Sequence, residues 1–202
     1  MADPPLTAER ILQASEDVLR RYGPAKATVV DIARELEVSH GSVYRHFPSK
    51  AALRDAVAER WLAGVSEPLA EITNEDAPAP ERLRRWLDLL VESKQSRARD
   101  DPELFATYVQ IAGESREVIT EHVNALVAQL ARIVADGVEQ GVFVAPDASA
   151  AGRAVFDATA RFHNPANAAS WSDPGIATAY EQVVSLVLAG LSAPAKRATG
   201  RR

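Results

Sequence analysis

The chain has 202 residues, no cysteine and a formal net charge of −5. Without cysteine it has no disulfide, thiolate metal site or cysteine nucleophile. No apolar run approaches the ~18 residues of a membrane span, and the acidic, proline-containing start MADPPLTAER is unlike a signal peptide. We therefore expect a cytoplasmic protein with no membrane partner. Residues 1–50 carry seven basic and seven acidic side chains, so the whole −5 lies in the rest of the chain.

The first predicted helix follows a short N-terminal arm of residues 1–6. Thr7 is a suitable N-cap, apolar residues then recur at helical spacing from Ile11 to Tyr22, and Gly23-Pro24 ends the run. We expect this helix to brace the segment that follows it.

Residues 28–50 are the most informative stretch. Thr28 and Asp31 form an N-terminal capping pattern, and the next apolar residues follow helical spacing at Val29, Ile32, Ala33 and Leu36. Ser39 can cap a second short helix over HGSVYRHF, which Pro48 ends, and Ser49 can cap a third that opens with Lys50. Two short helices joined by a tight turn are the layout of a helix-turn-helix.

The second of these helices leaves a polar face outward, because Val43 and Phe47 point inward. Ser and His side chains can donate to or accept from base edges, and Gly41 lets the backbone approach the groove wall. Tyr44 and Lys50 suit contact with phosphate. Arg45 could reach phosphate or pair with an acid such as Glu37. Two short capped helices are also common in helical proteins, so spacing alone leaves both interpretations open.

The stretch resembles the DNA-binding domain of the tetracycline-repressor (TetR) family of transcription regulators, over about residues 7–60. The resemblance rests on TVVDIAREL, VSHGSVYRHFPSK and AAL. With the N-cap Ser39 included, the residues that the resemblance implies for DNA contact are Thr28, Ser39, His40, Gly41, Ser42, Tyr44, His46 and Lys50. The turn between the helices usually carries glycine, whereas Glu37 stands there. A left-handed conformation at a non-glycine residue costs on the order of 1 kcal/mol.

The rest of the chain reads as helix throughout, with no alternation at strand period. Helical spacing predicts segments over about 49–72, 81–97, 103–112, 114–140, 147–162 and 176–191. We predict an all-α fold of about nine helices, as the resemblance also implies. Its expected parts are an arm and helix-turn-helix domain (1–50), a regulatory and dimerisation domain (51–192) and a basic, disordered tail (193–202).

The last two long helices are the predicted dimer interface. The first is rich in alanine, and the last is apolar around most of its circumference, so it must pack on more than the body. In the family such helices pair with their mates as a four-helix bundle. The interface candidates are Val155, Phe162, Val183, Val187 and Leu188. The other interpretation is that both helices are core of a single chain.

The resemblance also implies a small-molecule site inside the helical body. The lining candidates are Trp61, Trp86, Leu90, Phe105, Tyr108, His122, Leu126, Phe156, Thr159 and His163, since aromatic walls with a few polar groups suit an apolar ligand. Aromatic residues at helical spacing are, however, more often plain core. In the connection that follows His163, we expect Trp171 to fold back over the body or a partner subunit.

Three functions compete. The first is a homodimeric repressor that leaves a palindromic DNA operator when a small molecule binds. The second is an all-helical enzyme, but the sequence has no GxSxG, P-loop, HExxH or paired-carboxylate motif. The third is a helical interaction module, which would leave the polar face of the second motif helix unexplained. We predict the first, with no catalytic activity, no cofactor and no metal site.

Overall fold

The computed structural model describes residues 5–192, which form an all-helical protein as predicted. These residues contain no β-strand, and their one β-bridge joins Phe143 to Ser192. Over this part of the chain there are ten α-helices and one 3₁₀ helix (Pro165–Ser170), which lies between α9 and α10. The α-helices are α1 (Ala8–Tyr22), α2 (Val29–Glu35), α3 (His40–Tyr44), α4 (Lys50–Asn74), α5 (Ala79–Asp100), α6 (Pro102–Glu114), α7 (Arg116–Glu139), α8 (Ala148–Ala158), α9 (Ala160–His163) and α10 (Ile176–Leu191).

The chain forms two compact units. Among the described residues, one unit comprises 5–66 together with Ser96–Val123, and the other comprises Glu67–Gln95 together with 124–192. The predicted N-terminal arm lies mostly outside the described residues, and the predicted tail 193–202 lies wholly outside them.

Local hydrogen bonds begin the N-terminal helices where the sequence predicts. The Thr7 hydroxyl accepts from the Arg10 amide, and the Ser39 hydroxyl accepts from the Ser42 amide. At α2 a full capping box is present between Thr28 and Asp31. These caps satisfy amides that have no partner inside a helix, so they fix the first residue of each helix.

A single apolar core holds α1, α2, α3 and the start of α4 together in the first unit. Its centre is formed by Ile11, Val18, Ile32, Val43 and Leu53, all buried. Ala33 is buried in the same cluster. This core orients α3, a helix too short to be stable alone.

Three predicted boundaries were wrong. The second motif helix ends at Tyr44 and continues to Phe47 only as hydrogen-bonded turns. The connection between the predicted segments 81–97 and 103–112 is shorter, because α5 extends to Asp100 and Pro102 already begins α6. The helix predicted over 147–162 is interrupted at Thr159, whose hydroxyl bonds back to the carbonyls of Val155 and Phe156. Such back-bonding competes with regular helix geometry.

The second unit has its own core. The largest fully buried side chains there include Trp86, Leu87, Leu90, Leu126 and Leu130. Helices α7 and α8 approach closely, because a Cβ atom at Gly152 would lie 2.6 Å from the Ala131 backbone nitrogen.

Helix α7 has 24 residues, and its most apolar 18-residue stretch has a mean hydropathy of 1.2. By length and composition alone, such a helix could cross a membrane. The buried positions Leu126, Leu130, Ile133, Val134 and Gly137 recur at three- and four-residue spacing. Glu121 and Arg132 interrupt the apolar sequence on the more exposed side. A one-sided buried stripe of this kind is typical of a helix packed into a protein core.

Candidate DNA-binding surface and ligand cavity

The second motif helix, α3, presents a polar surface because its apolar side is anchored. Val43 is fully buried and Phe47 nearly so. The side chains that alternate with them face solvent. The exposed predicted contacts are Ser39, His40, Gly41, Tyr44 and His46. The rings of His40 and Tyr44 meet edge to face, 6.4 Å between centroids, so these two neighbours support each other on the outward face.

Ser42 is the least accessible predicted contact in α3. Its hydroxyl lies 2.9 Å from the Ser39 hydroxyl and accepts a hydrogen bond from the Arg45 guanidinium at 3.0 Å. In the structure Arg45 therefore bonds to Ser42, and not to Glu37. Contact between Ser42 and a base would require this local network to open.

Glu37 has a φ of 55°, so the turn between α2 and α3 contains a left-handed, non-glycine residue. This conformation was considered from the sequence, with its cost, but not predicted, and the structure has it. Among residues 5–192 it is the one non-glycine with positive φ, which places the strain of the motif at its turn.

Thr28 at the start of α2 is exposed but already engaged. Its backbone N–H and its hydroxyl both donate to the Asp31 carboxylate, at 3.2 and 2.6 Å. These hydrogen bonds, with that from Arg34, hold the pKa of Asp31 below its usual value. Phosphate accepts hydrogen bonds and cannot donate to Asp31. A contact from Thr28 to DNA therefore needs one of its donors to leave that carboxylate.

Lys50 opens α4 next to this surface in the sequence and is exposed. Ser49 caps the helix as predicted, because its hydroxyl accepts from the Ala52 amide at 3.0 Å. Among the described residues no carboxylate pairs with Lys50. Its ammonium is available for phosphate.

Sequence reasoning missed how α1 is held against α4. The guanidinium of Arg60, on α4, donates to the carboxylates of Glu9 and Glu16 and to the amide oxygen of Gln13. These partners are 44 to 51 residues away in sequence. The three α1 side chains recur at helical spacing on an exposed face, so no local pattern distinguishes them from an ordinary solvated face.

Three of the predicted pocket residues meet in the first unit. The rings of Trp61 and Tyr108 stack with 4.8 Å between centroids and 3° between planes, and Phe105 meets Trp61 edge to face at 6.3 Å. They line a cavity of about 450 Å³, within the usual size range of small-molecule sites. The buried Tyr108 phenol has a raised pKa because desolvation disfavours its anion.

Most other predicted pocket residues belong to the second unit and fill its core. Trp86, Leu90, Leu126, Thr159 and His163 are buried, and Phe156 is half-buried. The Trp86 indole donates to the Gln129 side chain at 2.9 Å. His122 is half-buried at the start of α7. That all ten candidates line one ligand site remains a prediction.

The five predicted dimer residues differ in how much of their surface is exposed. Val155 and Phe162 are 4% and 2% exposed within the chain itself, so they have little surface left to contribute to an interface. Val183, Val187 and Leu188 on α10 are half-buried, and their neighbour Leu186 is 73% exposed. Only Tyr180 and Val184 of α10 are buried, which leaves an apolar helix largely uncovered.

The connection after α9 is folded, as expected for Trp171. Asn164 caps the 3₁₀ helix, and the buried Trp171 indole donates to the Arg161 carbonyl at 3.0 Å. This part of the expectation is confirmed: the segment packs back on its own chain.

No group of three His, Asp or Glu side chains that could hold a metal ion occurs in the described part of the chain. A buried polar side chain in the second unit forms hydrogen bonds within the protein. Buried Arg82 donates to the carbonyls of Thr73 and Ala77 and to the Asp136 carboxylate.

Comparison with known proteins gives consistent matches. The profile described as bacterial regulatory proteins, tetR family, matches residues 11–57, and that of the tetracyclin repressor-like C-terminal domain matches residues 79–184. An HTH-type transcriptional repressor of Mycobacterium tuberculosis is 37% identical over 81 residues. That match spans 40% of this chain and only 40% of the length of the repressor.

Solved structures share the fold over nearly the whole chain. SmeT, the repressor of the Stenotrophomonas maltophilia multidrug efflux pump SmeDEF, superposes with a TM-score of 0.66 at 17% identity, covering 94% of this chain and 92% of SmeT. Thermus thermophilus FadR, a repressor solved with lauroyl-CoA, gives 0.63 at 23% identity, covering 96% and 100%. With both profiles matched and the helix-turn-helix in place, the chain belongs to the tetR family of bacterial regulatory proteins.

Proposed function

We propose that this protein is a homodimeric repressor that binds a palindromic DNA operator and is released from it by a small molecule. The observation that carries the proposal is the outward face of α3. His40, Gly41, Tyr44 and His46 are exposed while Val43 is fully buried. A short helix anchored by its apolar side and polar on the other is suited to enter the major groove.

The roles within this surface differ. Lys50 and Tyr44 suit phosphate, which fixes register and supplies affinity without sequence information. His40 can read a base edge directly. Ser42 can do so only after its bonds to Ser39 and Arg45 rearrange. Thr28 contributes mainly by fixing the start of α2.

The uncovered face of α10 supports dimerisation. Leu186 is 73% exposed, and small exposed residues lie on α8 at Ala150, Ala154 and Ala158, at helical spacing. Both helices belong to the second unit. A two-fold dimer would meet two half-sites about 34–36 Å apart, one turn of the duplex.

Release by a ligand is supported by the 450 Å³ cavity and by the relatives that the fold resembles. FadR of Thermus thermophilus was solved with lauroyl-CoA, and SmeT is the repressor of an efflux pump. A ligand can shift the protein between DNA-binding and released states only by its difference in affinity for the two states.

The base-reading role is tested by selecting His40→Ala and wild-type protein in parallel against a random duplex pool. We expect the variant to lose preference at one position of each half-site and to keep the rest. The matched control is His122→Ala, which removes the same side-chain type outside the motif and should leave the selected sequence unchanged. An identical selected sequence from His40→Ala would contradict the assignment.

The dimer is tested by Leu186→Arg, measured by sedimentation equilibrium and by affinity for the selected duplex. A charge on the uncovered face of α10 should favour the monomer and weaken operator binding, because a monomer meets only one half-site. Arg116→Ala, at an exposed position of α7 in the first unit, serves as a control for changed charge. A Leu186→Arg protein that dimerises as strongly as the wild type would rule out this face.

A further inference from the structure

The cavity of about 450 Å³ beside Trp61 in the first unit has an aromatic wall and a charged rim. Trp61, Phe105 and Tyr108 form the wall. Side chains from α1, from α4 and from the segment 96–108 complete the lining. An apolar wall with a few polar groups gives a ligand both affinity and orientation.

One charged side chain that lines this cavity lacks an oppositely charged partner in the described part of the chain. Each carboxylate in the lining already has its own arginine: Glu16 pairs with Arg60 at 2.9 Å, Asp101 with Arg20 at 3.7 Å and Asp100 with Arg99 at 3.2 Å. Arg97 also lines the cavity, and within the described part of the chain no carboxylate pairs with it. Arg97 is therefore a cation at the cavity with no carboxylate beside it.

Arg97 is held in place by weaker partners. It donates to the backbone carbonyls of Trp61 at 3.3 Å and Gly64 at 2.9 Å, and its guanidinium lies 5.7 Å from the centre of the Trp61 ring. A guanidinium has five N–H donors, so most of them have no protein acceptor among residues 5–192. Desolvation lowers the pKa of Arg97, as expected for a cation that is partly removed from water without an anion beside it.

We propose that this cavity binds an aromatic carboxylate, whose ring packs on the half-buried Trp61, which Phe105 and Tyr108 hold in place, and whose carboxylate pairs with Arg97. A carboxylate supplies the acceptor oxygens that the planar fork of an arginine matches in two parallel hydrogen bonds. A neutral aromatic molecule would leave that cation unpaired, and an aliphatic acid would use the aromatic wall less well.

The position of the cavity makes the ligand suitable as an effector, a role that rests on the proposed function. Glu16 lines the cavity and accepts from Arg60, the residue that ties α1 to α4. After burial, the same Glu16 carboxylate contributes to the raised pKa of the Tyr108 phenol on the aromatic wall. A ligand that displaces these side chains would change how α1 braces α2 and α3.

The test is titration calorimetry of the full-length protein with 2-naphthoate and with its neutral counterpart 2-naphthalenemethanol. We expect 2-naphthoate to bind at least about tenfold more tightly than the alcohol. Arg97→Gln should lose this difference, whereas Arg85→Gln, an exposed arginine on the same helix but outside the cavity, should keep it. Equal affinity of the two compounds for the wild type, or no saturable heat with 2-naphthoate up to about 1 mM, would overturn the proposal.

The comparison of two ligands on the wild-type protein does not depend on the folding of any variant. Operator affinity is measured separately, with and without saturating 2-naphthoate. Binding of 2-naphthoate that weakens DNA binding supports both the site and its role. Binding that leaves DNA affinity unchanged upholds the site and overturns the effector role. A protein that never binds DNA refutes the proposed function but leaves the calorimetric result valid.

Discussion

Replacing Lys50 with alanine isolates the electrostatic part of DNA binding. Lys50 is exposed at the start of α4 and has no carboxylate partner in the described part of the chain. Its removal should therefore leave folding almost unchanged. If each subunit of a dimer contacts one phosphate through Lys50, the variant loses two contacts.

The size of the effect follows from counterion release. Each lost phosphate contact lowers the slope of log affinity against log salt by about 0.9, so two contacts lower it by about 1.8. Between about 50 and about 200 mM salt, the wild type should then lose roughly tenfold more affinity than the variant. The advantage of the wild type is largest at low salt and shrinks as salt rises.

The assay is fluorescence anisotropy with the selected operator and with a scrambled duplex, over a series of salt concentrations. Arg132→Ala removes the same charge from an exposed position on α7 and should leave the slope unchanged. The same loss on both duplexes is expected, because phosphate carries no sequence information. An unchanged slope for Lys50→Ala, or a changed base preference, would refute this assignment.

Three further predictions concern stability. His163 is buried, and burial lowers its pKa to about 4 from 6.5, although its hydrogen bond to the Phe156 carbonyl opposes the shift. As pH falls below 6.5, the unfolded chain therefore binds a proton at this histidine before the folded chain does. Through this group the wild type should lose roughly 2 kcal/mol of unfolding free energy between pH 7 and 5. The His163→Gln protein should not show this loss. Glu37→Gly should stabilise by about 0.5–1 kcal/mol, since glycine tolerates a φ of 55°. Gly152→Ala should destabilise by about 1–3 kcal/mol, because its Cβ atom would meet the Ala131 backbone.

Urea unfolding at both pH values measures all three changes. Gly190→Ala is the control for Gly152→Ala, since a Cβ atom at Gly190 meets nothing within 4 Å. A Gly152→Ala protein as stable as the wild type would mean that α7 and α8 can separate freely. A destabilised Glu37→Gly protein, or a His163→Gln protein that loses stability with pH as the wild type does, would contradict the corresponding argument.

The N-terminal unit could be predicted well because its signals are local. A hydroxyl three residues before the amide that it caps is visible in the sequence, so the starts of α1, α2, α3 and α4 were confirmed. The family's usual glycine at the position of Glu37 made a left-handed turn one possibility, and the structure has it there. The break at Thr159 was missed, since the sequence does not show whether a threonine hydroxyl turns back to its own helix.

Features that join distant residues could not be predicted. Arg60 and Glu9 are 51 residues apart, and no pattern at either position points to the other. Val155 and Phe162 were predicted as interface because apolar helical spacing does not distinguish a side chain buried in its own chain from one awaiting a partner. The same ambiguity hid Arg97, which only its environment separates from an ordinary surface arginine.

The central claim is that the chain reads DNA as a dimer, and selection of the full-length wild-type protein from a random duplex pool at low salt tests it most directly. We predict an enriched inverted repeat whose half-sites are centred about one helical turn apart, 34–36 Å. A pool with no enriched sequence, after the protein has been unfolded and refolded to remove any bound ligand, would contradict the claim.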